Sequence, residues 1–286
     1  MPERKTTIRR VIFLIAIAYL GVVLLATLFQ RRLLYFPTKL PLELAERTAK
    51  VEGFVPWKTQ AGQTIGWMIP ARGSPTGSVL IAHGNAGYAL NRGYVAKPIH
   101  LAAPLEVYVL EYPGYGARPG APSMRNFLAA GEVAFNALPS NRPVYLVSES
   151  IGAGVVAHLA QTFPAKVAGL LFLAPYDDLG SVAQSQMPIL PAKWILRDRF
   201  QPAAWLADYH GPVKVVIAER DEIIPPRFGR QLYDSCKGPK DLEIVAAAGH
   251  NDIAEQSPEW WQEVLAFWSK NDFAASERSG GSLHLP

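Results

Sequence analysis

Ser150 lies in the run Tyr145-Leu146-Val147-Ser148-Glu149-Ser150-Ile151-Gly152-Ala153-Gly154, where a strand-like stretch passes straight into a helix-like one. A serine hydroxyl is a weak nucleophile at neutral pH. Chemistry here needs an adjacent base, donors for a developing oxyanion and an exposed, constrained perch. A G-x-S-x-G pattern at a strand-to-helix junction supplies that perch, because its small flanking residues permit a strained turn. Here the pattern reads S-x-S-x-G, with Ser148 in the first glycine position. Without partners, the same residues would be a small-residue strand end packed on a helix.

Partners lie downstream. The segment 213–217 reads as a buried strand and is followed by Glu219-Arg220-Asp221-Glu222-Ile223-Ile224-Pro225-Pro226. An acid just beyond a strand can orient an imidazole. Asp221 is preferred, and Glu222 is its rival, since one residue of slip would exchange their directions. A solvated charge cluster is the bland alternative. Residues 242–245 alternate as a short strand before Ala246-Ala247-Ala248-Gly249-His250-Asn251-Asp252. Small residues there let His250 bring its ring over the sheet edge. Upstream, a buried-strand pattern at 78–82 runs into His83-Gly84-Asn85-Ala86-Gly87, whose glycines allow close backbone approach to a ligand. His83 could be a second base, but bracing the loop is its expected role.

Taken in order, H-G-N-A-G, E-Y-P-G-Y-G-A-R-P-G (111–120), S-E-S-I-G, E-R-D-E-I-I-P and G-H-N-D resemble the α/β-hydrolase superfamily. More narrowly, they resemble its small, N-terminally anchored serine hydrolases, related to the yeast bud-emergence protein and the mammalian membrane-anchored abhydrolases. The likeness spans 33–272. It implies the α/β-hydrolase fold, a triad of Ser150, Asp221 and His250, and ester or thioester hydrolysis through an acyl-enzyme. It also implies an oxyanion hole from the backbone N–H groups of Asn85 and Ile151, with no metal or organic cofactor. Gly84, Gly87 and Tyr115, in the same loops, are candidate substrate contacts. Ser148 and Arg118 depart from the family pattern at positions that usually hold glycine and serine. The likeness leaves the substrate open, with lipid among the candidates. A serine peptidase of the same fold would need an acid near the pocket to hold an amine, for which Glu149 and Glu222 are available. A catalytically silent membrane-tethered binding protein would be expected to lack a triad member.

The remaining sequence supplies the elements that must position these groups. The chain has 286 residues, a net charge of +4 and one cysteine, Cys236. That excludes an intramolecular disulfide and a multi-cysteine metal site, and the dispersed Lys and Arg leave no nucleic-acid footprint. Residues 11–29 are uncharged and long enough to cross a bilayer. Arg4, Lys5, Arg9 and Arg10 precede them, and Arg31 and Arg32 follow. An uncleaved single-pass anchor (1–32) is expected, with a cytoplasmic N-terminus and an extracytoplasmic catalytic domain. Strand signals at 51–58, 64–69, 79–82, 107–111, 144–147, 170–173, 213–217 and 242–245 alternate with helix signals at 92–101, 124–138, 151–163, 227–236 and 258–271. They predict a mostly parallel eight-stranded sheet flanked by helices over 33–273. A Pro-, Trp- and Leu-rich insert at 176–211 reads as a small helical cap, and 274–286 as a disordered tail.

Overall fold

The computed structural model describes residues 2–280. Among these, one mixed sheet is built from β1 (Val55–Lys58), β2 (Thr64–Ile69), β3 (Gly77–Ala82), β4 (Leu105–Leu110), β5 (Val144–Glu149), β6 (Val167–Leu173), β7 (Val213–Ala218) and β8 (Lys240–Val245). The spatial order is β8-β7-β6-β5-β3-β4-β2-β1. The β1–β2 and β2–β4 pairs are antiparallel, and the others are parallel. Every residue of β3 and β6 is buried, which explains unbroken apolar runs such as Val79-Leu80-Ile81-Ala82. A sheet covered on both faces has no solvent side to alternate towards.

Successive side chains still serve two different cores. Leu80, Leu146, Leu170 and Val215 face a cluster with Phe127, Val155 and Phe228. These come from β-sheet neighbours and from α4 (Met124–Asn136), α5 (Gly152–Thr162) and α9 (Pro226–Ser235). Val79, Val147, Leu171 and Val216 face a second cluster with Val95, Ile99, Trp261 and Trp268. Its helices are α2 (Leu42–Glu52), α3 (Gly93–Ala102) and α10 (Pro258–Gly280). The indole of Trp268 occupies the space above Gly169, where a Cβ would come within 2.5 Å of it. It also stacks on Tyr145, with centroids 4.8 Å apart. Trp261, Val264 and Trp268 form the buried stripe of α10.

Two boundaries differ from expectation. Residues 51–52 end α2 rather than opening β1, and Gly53, at φ 81°, closes the helix. Ala45 and Ala49, one turn apart, let α2 lie close against the body, a spacing that pattern-reading for strands passes over. At the other end α10 continues to Gly280, through part of the segment expected to be a structureless tail. Ala274, Ala275, Glu277 and Arg278 favour helix, and paired glycines first occur at 280–281. Residues 281–286 lie outside the described residues.

Between β6 and β7, three short helices form the cap region: α6 (Leu179–Gln186), α7 (Ala192–Ile195) and α8 (Pro202–Trp205). The N-terminal α1 (Pro2–Leu34) is one continuous helix. Its stretch 7–34 is long and apolar enough to cross a membrane, and no part of its most apolar window is buried. A core helix would not leave that surface open. Its C-terminal end is clamped to the body: Gln30 Nε2 donates to Ile195 O, and Arg31 and Tyr35, the residue just past the helix, both donate to Asp198.

α5 starts where the chain crosses the carboxyl end of β3. A Cβ on Gly152 would lie 2.0 Å from the Ala82 carbonyl oxygen. Backbone on both sides leaves nothing flexible to move aside. Gly152→Ala is therefore expected to cost more than about 3 kcal/mol, at or above the upper range for overpacking. Urea unfolding checks this; an unchanged midpoint would show that the β3–α5 junction yields.

Candidate active site

Ser150 occupies the left-handed region at φ 53°, between the last residue of β5 and the first of α5. Non-glycine residues are strained there and persist only where their surroundings hold them. Here Ser150 N–H donates to Leu173 O at 2.9 Å, and its carbonyl accepts from Ala153 N–H at 3.0 Å. Ala174 and Ala247 also have positive φ, each just beyond the carboxyl end of a strand. Ser148 fits the elbow without exposure, its hydroxyl directed at Leu171 O at 3.4 Å.

The structure brings Ser150, His250 and Asp221 into one chain of contacts. His250 Nε2 lies 3.0 Å from Ser150 Oγ, and His250 Nδ1 lies 2.7 Å from Asp221 Oδ2. A carboxylate accepts, so Nδ1 carries the proton and Nε2 presents its lone pair to the serine hydroxyl. Asp221 Oδ1 accepts from the N–H groups of Ile223 and Ile224, at 2.9 and 2.7 Å. These bonds aim the other oxygen at the ring. Glu222 points outward and takes no part. The two loops are stitched together as well: Ala247 N–H donates to Glu219 Oε2, and Arg220 N–H to Ala248 O, both at 2.9 Å.

Gly84, Asn85 and Ile151 line a cleft of about 410 Å³ beside Ser150. Ile151 caps the N-terminus of α5, where the first amides have no intrahelical acceptor. The Asn85 side chain is tethered twice. Its Nδ2 donates to Leu34 O, the last carbonyl of α1, and its Oδ1 accepts from Tyr115 O–H at 3.1 Å. Just beyond, Phe36 and Pro37 pair in parallel with Ala86 and Gly87. Two expected substrate contacts are corrected by this arrangement. Tyr115 is wholly buried and holds Asn85 from behind, and Gly87, at φ 87°, carries the ladder to Pro37 rather than lining the cleft. Gly84 does line it.

Beneath the loop lies a buried polar layer. His83 is fully buried, and its Nδ1–H donates to Gly84 O at 2.7 Å, so it braces the loop. Glu111 accepts Ala89 N–H at 3.0 Å. Arg118, at the other departure from the family pattern, donates to Glu111 O at 2.7 Å; burial pulls its guanidinium down from the usual range. Arg92 and Glu149 were not legible as a unit. They form an ion pair, N···O 2.8 Å, and Arg92 also donates to Ala86 O at 2.7 Å. Tyr94 O–H donates to the other Glu149 oxygen at 2.8 Å. The residue before Ser150 is thus tied to the loop that carries Asn85. Cys236, buried, has its thiol pushed up to about 11 and lies outside the cleft lining.

The cleft wall is mostly apolar, with Leu34, Phe36, Leu179, Val182, Met187 and Ile224 among its residues. A family model described as serine hydrolase matches residues 121–267, just over half of the chain. An uncharacterised protein of Mycobacterium tuberculosis is 31% identical over 85% of this chain and 88% of its own length. Human alpha/beta hydrolase domain-containing protein 17B is 28% identical over 68% of each chain. Among solved structures, Est1E from Butyrivibrio proteoclasticus superimposes with a TM-score of 0.59 at 13% identity, over 76% of this chain and 99% of that one. The chain therefore belongs to the serine hydrolase family and has the α/β-hydrolase fold.

Proposed function

We propose that this hydrolase cleaves carboxylic esters or thioesters, with Ser150 as nucleophile, His250 as general base and Asp221 as the group that orients and stabilises the imidazole. The observation that carries the reading is the unbroken contact chain, 2.7 Å from Asp221 to His250 and 3.0 Å from His250 to Ser150, opening onto an apolar cleft. Nε2 takes the serine proton as Oγ attacks the carbonyl carbon, and the N–H groups of Asn85 and Ile151 receive the developing oxyanion. The imidazolium then protonates the leaving alcohol or thiol. Water, deprotonated by the same nitrogen, releases the acid from the acyl-enzyme. The reading calls on no metal or organic cofactor. Pairing of Glu149 with Arg92 and Tyr94 takes away the acid nearest Ser150 that a peptidase could use to hold an amine.

We also read α1 as a single-pass membrane anchor. Arg4, Lys5, Arg9 and Arg10 favour a cytoplasmic N-terminus, while Arg31 on the other flank is paired with Asp198 at 3.0 Å. The catalytic body then lies outside the cytoplasm. A topology reporter fused to the C-terminus should be active only in the extracytoplasmic space; cytoplasmic activity would reverse the orientation.

Ser150→Ala should abolish fluorophosphonate labelling and lower ester turnover about 10⁶-fold, and Asp221→Asn should lower kcat about 10⁴-fold. Surviving label in the serine variant would mean another nucleophile. Asn85→Ala keeps its backbone amide but loses both side-chain tethers. It should lower kcat about tenfold or more, with KM little changed, as expected when an oxyanion donor is misplaced. Equal kcat in that variant would place the oxyanion elsewhere.

A further inference from the structure

Tyr19 O–H donates to the carbonyl of Ile189 at 2.9 Å, joining α1 to the cap loop between α6 and α7. This contact fixes depth. The uncharged stretch of α1 runs from Val11 to Gln30, between Arg10 and Arg31, about 30 Å at helical rise and so the thickness of a bilayer core. Tyr19 lies near its midpoint, about 18 Å along the axis from Arg31. A loop bonded to Tyr19 therefore cannot stay in water while α1 spans the membrane, even if the helix tilts.

The loop has the chemistry for that position. Its sequence is Met187-Pro188-Ile189-Leu190-Pro191, without a charge and with two prolines that carry no N–H. Ile189 and Trp194 are among the most exposed apolar side chains of the body, at 80% and 78%. Backbone carbonyls in hydrocarbon need internal donors. Gln184 Nε2 serves Leu190 O at 2.9 Å, Tyr19 serves Ile189 O, and Leu190 N–H serves Met187 O at 3.1 Å. At the level of Arg31, the polar clamp changes character. Asp198, 4% exposed, accepts from Arg31 through both oxygens and from Tyr35 O–H. That marks the boundary with the headgroups. The apolar groove between α1 and the loop shares Leu33, Leu34, Ala183 and Met187 with the Ser150 cleft.

We propose that residues 187–191 are a second membrane-inserted element, lying in the hydrocarbon beside α1, and that the cleft draws the acyl chain of its ester laterally from the bilayer. The inference rests on the reading of α1 as an anchor and of Ser150 as an esterase nucleophile. The full-length protein is placed in phospholipid nanodiscs with single cysteines at Leu20→Cys in α1, Ile189→Cys in the loop and Val51→Cys at the exposed end of α2. Each is labelled with an environment-sensitive fluorophore. Cys236, buried with its thiol raised to about 11, stays unlabelled at neutral pH. A nitroxide carried midway along the lipid chain should quench the labels at 20 and 189 and spare the one at 51. Quenching at 20 alone overturns the proposal and keeps the anchor; quenching at neither site removes the anchor, and the proposal with it. In the same discs, Ile189→Asp should slow hydrolysis of p-nitrophenyl palmitate at least about tenfold and leave soluble p-nitrophenyl acetate unchanged, because a carboxylate is costly in hydrocarbon. Equal rates on both esters, or equal losses on both, would show that the loop does not govern entry from the bilayer. Loss of acetate hydrolysis in Ser150→Ala tests the esterase reading separately.

Discussion

The close crossing of α5 over the end of β3 is the constraint from which the site geometry follows. With the Gly152 Cα held against the Ala82 carbonyl, the chain turns from strand to helix through the left-handed conformation of Ser150, two residues earlier. That turn lifts the Ser150 side chain out of the sheet and towards His250. The same crossing starts the 83–92 loop next to the first amides of α5. Ser150 and the two candidate oxyanion donors are therefore brought together at a single backbone crossing. Side chains further away adjust this arrangement; they do not create it.

Polar burial around the site is consistent with a role in positioning. Arg92 with Glu149, His83 beside Glu111, and Asp198 with Arg31 and Tyr35 each place charge or hydrogen-bonding capacity where water is scarce. Such groups add little net stability compared with well-packed apolar residues, because desolvation offsets much of the attraction. What they supply is direction. Arg92 and Glu149 join the elbow to the Asn85 loop, and Asn85 in turn caps the last turn of α1. The end of the N-terminal helix and the candidate oxyanion site thus share one residue.

Much of this was legible in the chain itself. The alternation of Val-rich runs with helical segments gave the sheet, and the order of Ser150, Asp221 and His250 matched residues that the fold does bring together. Asp221 was preferred in sequence with Glu222 kept as its rival, because neighbouring residues on a loop have no fixed period. Only the amides of Ile223 and Ile224 decide which acid turns inward. Tyr115 and Gly87 were misjudged for a related reason. A residue in a loop near a site can face the site or support it from behind, and its type does not say which. The Arg92–Glu149 pair left no trace, since 57 positions separate its members in sequence and only the folded sheet adjoins them. α2 was missed because its buried face is two alanines, too little apolar bulk to show as a periodic stripe.

The indole of Trp268, pressed into the gap above Gly169, has a consequence for how the molecule is made. The space over Gly169 in a central strand stays open until residue 268 has left the ribosome, because the atoms nearest it all belong to that indole. The hydrolase body therefore closes only after α10 has been made. Its first helix emerges long before, and must find its own environment while the domain it will hold is still an open chain.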